Sequence, residues 1–325
     1  MRGILFLSLT TFVYAAIFGS LILFWKGKFQ PLTPLPTAET STLLFVGDIM
    51  LGRGVEWQIR QHGYDWRLPF LKIADVLQNA DIVFGNLESV ISNKGENLGS
   101  AYSFRADPKA IEGLAFAGFD VLSVTNNHSL DYGIEAFVDS MARLSQAGIA
   151  TVGGGTTKDQ THTPIIKEIK GTKIGFLGYT NLGSPLWQAT EHIPGIAWVD
   201  ENNISEFQED IRRAKNEVDV LIVSIHFGEE YQKEPSPIQQ LLSKAAIDAG
   251  TDVVVGHHSH VVQPIEQYEQ GWIAYSLGNF VFDQGFSPET MEGLLLEVVV
   301  QDKKITRVTP RSIQINSLFQ PELPN

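Results

Sequence analysis

The sequence predicts a layered α/β domain with two sheets, and three observations carry that expectation. From Thr42 onward, short β-rich runs alternate with stretches of helical periodicity, the pattern of stacked sheets and helices. Five of the runs are almost continuously apolar, as strands covered on both faces are. After His260 nearly every patterned stretch reads as strand, more than a simple doubly wound sheet uses. No second linker and no close internal repeat interrupts the chain, so residues 42–325 read as one domain.

The chain opens with a different kind of segment. Gly3 to Trp25 is a run of 23 residues without a charge. As a helix at ~1.5 Å per residue it is roughly 34 Å long, enough for a bilayer core of about 30 Å. It exceeds the apolar region of a cleaved signal peptide, and no convincing small-x-small site follows it. Residues 1–28 are therefore predicted to be an uncleaved N-terminal transmembrane helix. Arg2 precedes the run while Lys26 and Lys28 follow it, so flanking charge does not orient it. Residues 29–41, with prolines at 31, 34 and 36, read as an extended linker.

The five apolar runs share a feature. Residues 43–47 end at Asp48, 81–85 at Asn86 and Glu88, and 120–125 at Asn126, Asn127 and His128. Residues 219–225 end at His226, and 252–256 at His257, His258 and His260. Open α/β sheets bind ligands beyond the carboxyl ends of their strands, so these polar clusters are predicted to converge on one edge. Apolar spacing predicts helices over 69–80, 108–117, 131–147, 201–216 and 236–249, with Gly148 as a C-terminal stop. Residues 164–168 and 173–179 flank a Lys-Gly turn and read as a hairpin. Strands are predicted over 261–268, 272–277, 294–301 and 305–315.

Composition narrows the chemistry. The 325 residues include no cysteine, which excludes disulfides, thiolate metal sites and cysteine nucleophiles. The net charge is −13, and without Arg2, Lys26 and Lys28 the body carries 21 basic against 37 acidic residues, or −16. That balance argues against a nucleic-acid partner, which calls for a basic face. There is no G-x-S-x-G elbow, Walker A loop or G-x-G-x-x-G after a strand.

What remains is a set of His, Asn and carboxylate side chains, ligands for divalent Zn, Mn or Fe. Five of the eight histidines fall in the strand-end clusters, at 128, 226, 257, 258 and 260. In an extended loop alternate side chains point the same way, so His258 and His260 could reach one ion. The plainer alternative is that Asp48, Asn86 and Asn127 cap turns and helices. His128 precedes a predicted helix and could protonate a leaving group; the alternative is a histidine bonded to a backbone carbonyl. Arg53 could clamp a carboxylate or phosphate in a bidentate fork, or be a plain surface arginine. Glu229, Glu230 and Glu234 read as a solvated face, with Glu229 or Glu230 able to reach the edge of the site.

The ordered motifs GDIMLGR (47–53), NLES (86–89), TNNHSLDYG (125–133), SIHFGEEY (224–231), GHHSHVVQP (256–264) and YSLGNFVFD (275–283) resemble the CapA family. These are capsule or poly-γ-glutamate synthesis proteins of the calcineurin-like metallophosphoesterase superfamily. The resemblance covers about residues 42–315 and implies a four-layer α/β/β/α sandwich. By position, Asp48, Glu88, Asn127, His226, His258 and His260 match metal ligands, and His128 matches the proton donor. It further implies one or two divalent ions per chain and a cell-surface polymer or its precursor as partner, with a possible membrane synthase or export complex. It also places the body outside the cytoplasm. Two positions depart from the superfamily pattern: Met50 stands where D-x-H has histidine, and Glu88 stands where a bridging aspartate is usual.

Three functions compete at this level. In the first, a metal-dependent hydrolase directs metal-bound hydroxide at a phosphoester or amide, with His128 as acid and Arg53 holding an anionic group. In the second, the body is a non-catalytic accessory to polymer synthesis or export. The third, a generic nucleotidase or phosphodiesterase, is disfavoured by Met50.

Overall fold

Burial on both faces organises the architecture around the five site strands. These are β1 (Thr40–Ile49), β2 (Ile82–Leu87), β3 (Val121–Ser123), β4 (Val220–His226) and β5 (Val253–His257). The computed structural model describes residues 39–324. The predicted anchor and residues 29–38 of the predicted linker lie outside the described residues. Among the described residues no helix is long and apolar enough to cross a membrane.

The strands divide between two sheets. In an eight-stranded sheet β1, β2 and β3 run parallel, followed by Ala150–Val152. On the other side of β1 lie Glu292–Gln301, Lys304–Ile315 and Pro321–Glu322, all antiparallel to their neighbours. The short strand Asn279–Val281 runs parallel to the end of β1. In a six-stranded sheet β4 and β5 are the parallel centre. They are flanked by the Ile165–Ile169/Thr172–Thr180 hairpin on one side and by Gly271–Ala274 with Ile265–Tyr268 on the other.

The sheets face each other across one apolar layer. Leu43, Phe45 and Phe84 of the first pack with Phe176, Ile222 and Val255 of the second. Phe84 and Phe176 stack with ring centroids 5.8 Å apart and planes 8° from parallel, an offset aromatic contact joining the sheets. Helices cover the two outer faces. Ala110–Ala117 and Gly133–Gln146 set Leu114, Phe137 and Leu144 with Val46 and Leu122. Ile204–Lys215 and Pro237–Asp248 set Phe207, Ile211 and Leu242 with Val223 and Val254. Ser236 starts the last of these with a capping box closed by Gln239, which satisfies two otherwise orphaned N–H groups.

Local differences from the sequence expectations have identifiable causes. The predicted helix 69–80 is a 3₁₀ turn, Leu68–Phe70, followed by the short helix Ala74–Leu77. Buried Phe70, Ile73 and Leu77 have a spacing that a 3₁₀ turn meets as well as a continuous helix. The helix Arg53–Gln61 was not expected, because only Val55 and Ile59 of its residues are buried. Strand β1 begins at Thr40, inside the predicted linker. Residues 261–264 are outside the strands and Ile265–Tyr268 is regular; Pro264 has no N–H to give a ladder.

The inter-sheet layer predicts that Phe176→Ala lowers unfolding free energy by about 3–5 kcal/mol. A urea denaturation midpoint equal to wild type would contradict this account of how the sheets are joined.

Candidate metal centre

Strand register builds the centre. Asp48 at the end of β1 pairs with Asn86 of β2 and with Asn279 on its other side. In the second sheet His226 of β4 pairs with His257 of β5. The expected convergence therefore occurs between two sheets and not along the edge of one. A register shift in β1 between Phe45 and Asp48 lets the chain press against the Leu277–Gly278 segment. A Cβ on Gly47 would stand 1.9 Å from the Gly278 carbonyl oxygen, so this close approach requires glycine. The Asp48 N–H donates to the same carbonyl at 3.0 Å.

Asp48 is completely buried. Its Oδ1 accepts from Asn86 Nδ2 at 2.9 Å, and its Oδ2 accepts from the His258 backbone N–H at 3.1 Å. His257 Nδ1 and His260 Nδ1 each lie 3.3 Å from a carboxylate oxygen; for His257 the approach lacks hydrogen-bond alignment. Burial alone would raise the Asp48 pKa, but the imidazoles of His257 and His260 outweigh it and hold the acid well below the usual carboxylate range. Glu88 moves oppositely: burial, then the Asp48 charge, pushes it well above that range. Burial and the neighbouring His258 depress His226, and burial with His260 lowers His258 to about 3.

The donor and acceptor inventory fits a cation. Asn86 Nδ2 faces three acceptors, Asp48 Oδ1 at 2.9 Å, Glu88 Oε1 at 3.2 Å and His226 Nδ1 at 3.2 Å, with only two protons to give. Glu88 Oε2, both ring nitrogens of His257 and Nδ1 of His258 are buried with no hydrogen-bond partner among the described residues. Ligand atoms of Asp48, Glu88 and His226 lie within 4.8 Å of one another, as do those of Glu230, His258 and His260. Orphaned buried acceptors are costly, and His nitrogens with carboxylate oxygens suit a divalent ion.

This floor adjoins a cleft of about 510 Å³ lined by Arg53, Phe104, His128, Asp131, Glu230 and Tyr231, among others. His128 Nδ1 contacts Asp131 Oδ2 at 2.8 Å, and its ring lies 3.8 Å from the Phe104 ring centroid. Asn127 Nδ2 is 3.1 Å from His128 Nε2, and Asn127 Oδ1 is 2.7 Å from His226 Nε2. The Asp131 contact assigns the proton to Nδ1 and leaves Nε2 on the Asn127 side. Arg53 pairs with Asp283 at 3.0 Å, lies 5.1 Å from the Phe104 centroid and leaves 40% of its side chain exposed.

The structure thus brings Asp48, Glu88, Asn127, His226, His258 and His260 together, with His128 on the wall of the cleft and Arg53 at its rim. Two local expectations need correction. His258 and His260 do not alternate along an extended loop: their φ values are 97° and 54°, left-handed geometry that costs strain in non-glycine residues. Nor does the His128 ring bond a backbone carbonyl, the plainer alternative: its Nδ1 meets the Asp131 carboxylate, and the helix expected from residue 131 begins at Gly133. Sequence reasoning gave no role to Asp131, named Asn86 and His257 only as members of the strand-end clusters, and left Glu229 and Glu230 as alternatives for the site's edge, of which Glu230 lines the cleft. The i,i+3 spacing of His128 and Asp131 was a usable signal, whereas the place of Asn86 depended on register.

Residues 42–284 match the family described as bacterial capsule synthesis protein PGA_cap. The chain belongs to this family. It is 33% identical over 302 residues to the capsule biosynthesis protein CapA of Bacillus anthracis, covering 90% of this chain and 73% of that one. It is 32% identical to the PGA biosynthesis protein CapA of Bacillus subtilis, covering 89% and 76%. A probable polyglutamine synthesis accessory protein of Mycobacterium tuberculosis is 29% identical, covering 75% of each chain. Among solved structures, a phosphatase of Mycoplasma pneumoniae superposes with a TM-score of 0.54 at 14% identity over 89% of this chain and 96% of that one. At that identity the likeness concerns the fold.

Burial of neutral histidine in this PGA_cap family member makes metal-free stability pH-dependent. His258 has a folded pKa of about 3 against roughly 6.5 when unfolded. Between these values the unfolded chain carries a proton the folded one lacks, so stability falls on acidification by roughly 1 kcal/mol per pH unit. Glu88 acts oppositely, because its folded pKa is raised. His258→Asn removes the first effect, and relaxes His226, which His258 helps to depress, while leaving that of Glu88. Urea denaturation at pH 6 and 5 in chelator should show a shallower loss in the variant, and identical slopes would refute the assignment.

Proposed function

We propose that this protein is a membrane-anchored, metal-dependent hydrolase of capsule or poly-γ-glutamate synthesis. Its substrate is a phosphoester or amide bond of a cell-surface polymer or its precursor, and its body lies outside the cytoplasm. The uncharged run Gly3–Trp25 and the named function of the CapA relatives support anchoring and pathway. One observation carries the chemistry: ligand atoms of Asp48, Glu88 and His226, and likewise those of Glu230, His258 and His260, cluster within 4.8 Å of one another, with Glu88 Oε2 and His258 Nδ1 buried and unpartnered among the described residues, and His260 and Glu230 carry the cluster to a cleft that also presents a His128–Asp131 pair.

Asp48, Glu88, Asn127, His226, His258 and His260 would hold the metal. A divalent ion there supplies Lewis acidity, lowering the pKa of water and drawing charge from a phosphoryl or carbonyl oxygen. Asp131 holds the His128 Nδ1–H; as an imidazolium, with the Asn127 amide turned from Nε2, the ring would give its Nε2 proton to the leaving oxygen or nitrogen and return to the neutral form. The Phe104 ring covers one face of His128 and excludes water from that side. Arg53, half tied to Asp283, directs its remaining donors to an anionic group on the substrate. Burial of the Asp48 carboxylate keeps its interactions strong, since little solvent screens them.

A second reading is the non-catalytic accessory. Met50 supports it: this side chain is fully buried, and its sulfur accepts the Gly52 N–H at 3.2 Å, so it offers nothing to an ion. The readings separate with Mn-, Fe- or Zn-loaded protein, assayed on aryl phosphate esters and γ-glutamyl peptides. For the hydrolase, His128→Asn lowers kcat by about 10²–10⁴ with metal content unchanged, and Asp48→Asn abolishes turnover. Metal-loaded protein that turns over neither substrate class would favour the accessory role.

A further inference from the structure

The loop after β4 holds a carboxylate over the histidine turn. Gly228 has φ 96°, and a Cβ there would meet the Gln239 side chain at 2.4 Å, so the chain reverses tightly at this point. The Phe227 N–H donates to the His257 carbonyl at 3.3 Å, and the Tyr231 N–H donates to the Ser259 carbonyl at 2.8 Å. These two ties bracket Glu230 and set it above His258 and His260. A carboxylate oxygen of Glu230 and one ring nitrogen of each histidine come within 4.8 Å of one another. His258 is only 7% exposed, yet its Nδ1 has no hydrogen-bond partner among the described residues. An imidazole with a buried, unpartnered nitrogen, set with a second imidazole and a carboxylate, is a donor set that suits a divalent cation.

We propose that Glu230 is a metal ligand, forming with His258 and His260 a second cation position on the cleft side of the Asp48–Glu88–His226 group. This rests on the metal-dependent reading and adds a division of labour to it. Asp48, Glu88 and His226 are each at most 1% exposed, so an ion among them is shut from solvent. Glu230 is exposed and lines the cleft, so an ion on its group faces the substrate and exchanges readily. His260 joins the two positions: Nδ1 lies 3.3 Å from Asp48 Oδ2, and Nε2 lies 3.9 Å from Glu88 Oε2. An anionic substrate approaching Glu230 and Asp131 would otherwise meet like charge, and a cation at the mouth reverses that field.

The test counts Mn²⁺ bound by the full chain in detergent, by equilibrium dialysis and elemental mass spectrometry, beside Glu230→Gln and His226→Ala. Two equivalents in wild type are expected, the faster-exchanging one lost in Glu230→Gln, and the slower one lost in His226→Ala. Glu230 is exposed, so the metal-free melting temperature of its variant should match wild type. If wild type and Glu230→Gln bind equal, non-zero amounts with equal affinity, the Glu230 assignment is overturned and the metal-dependent reading stands. If Glu230→Gln binds none while remaining folded, the division into two positions is overturned. If wild type binds no Mn²⁺, Fe²⁺ or Zn²⁺, both the inference and the reading beneath it fail.

Discussion

The Asp48 carboxylate ties the two sheets together at the point where chemistry is possible. It stands at the end of a central strand of one sheet and accepts the backbone N–H of His258, which follows a central strand of the other. Its second oxygen accepts from Asn86 on the neighbouring strand. An unpaired buried carboxylate would cost several kcal/mol, so each of these contacts is a condition of the fold as well as of the site. Displacing the His258 loop removes a partner from a buried charge, and displacing Asp48 frees the loop. Sheet packing and site geometry are consequently coupled through a single side chain.

Around that anchor the polar groups are deliberately unbalanced. Three acceptors share the two protons of Asn86, and Glu88 Oε2 and the His257 ring nitrogens have no hydrogen-bond partner among the described residues. A structure selected for stability alone would close such a network or replace it with apolar side chains. Strain points the same way, with His258 and His260 both held at positive φ. The outer wall is conventional by contrast: His128 has its carboxylate and Arg53 has Asp283. Acceptor excess around Asn86 and charge-paired, oriented groups at the wall separate a place that attracts a cation from one that moves a proton.

Much of this was legible before any coordinates. The five apolar runs appear as strands, because a strand buried on both faces leaves a strong compositional trace, and their polar ends meet, though between two sheets and not on one edge. The helices 201–216 and 236–249 lie close to Ile204–Lys215 and Pro237–Asp248, since amphipathic periodicity persists over three turns. Weak traces failed. Arg53–Gln61 buries only two side chains, and the Leu68–Leu77 region shares its apolar spacing with a 3₁₀ turn. Asn86 and His257 were visible as members of clusters, but nothing local distinguished them from capping or packing residues.

The residue types, their order and the ends of the strands on which they stand were determined by the sequence, through hydrophobic runs that stop at polar clusters. So was membership in a family that its motifs mark from residue 47 to residue 283. Tertiary structure decided which clusters touch. It set Asp48 beside Asn86 and His226 beside His257 by strand register, and it brought His258 and His260 together through a left-handed turn. It also carried Glu230 from an acidic loop to the rim of the site. The reason is one of range: periodicity reports how a residue sits on its own element, whereas a metal site depends on distances between elements far apart in the chain, and these are set by sheet packing and the buried charge at Asp48.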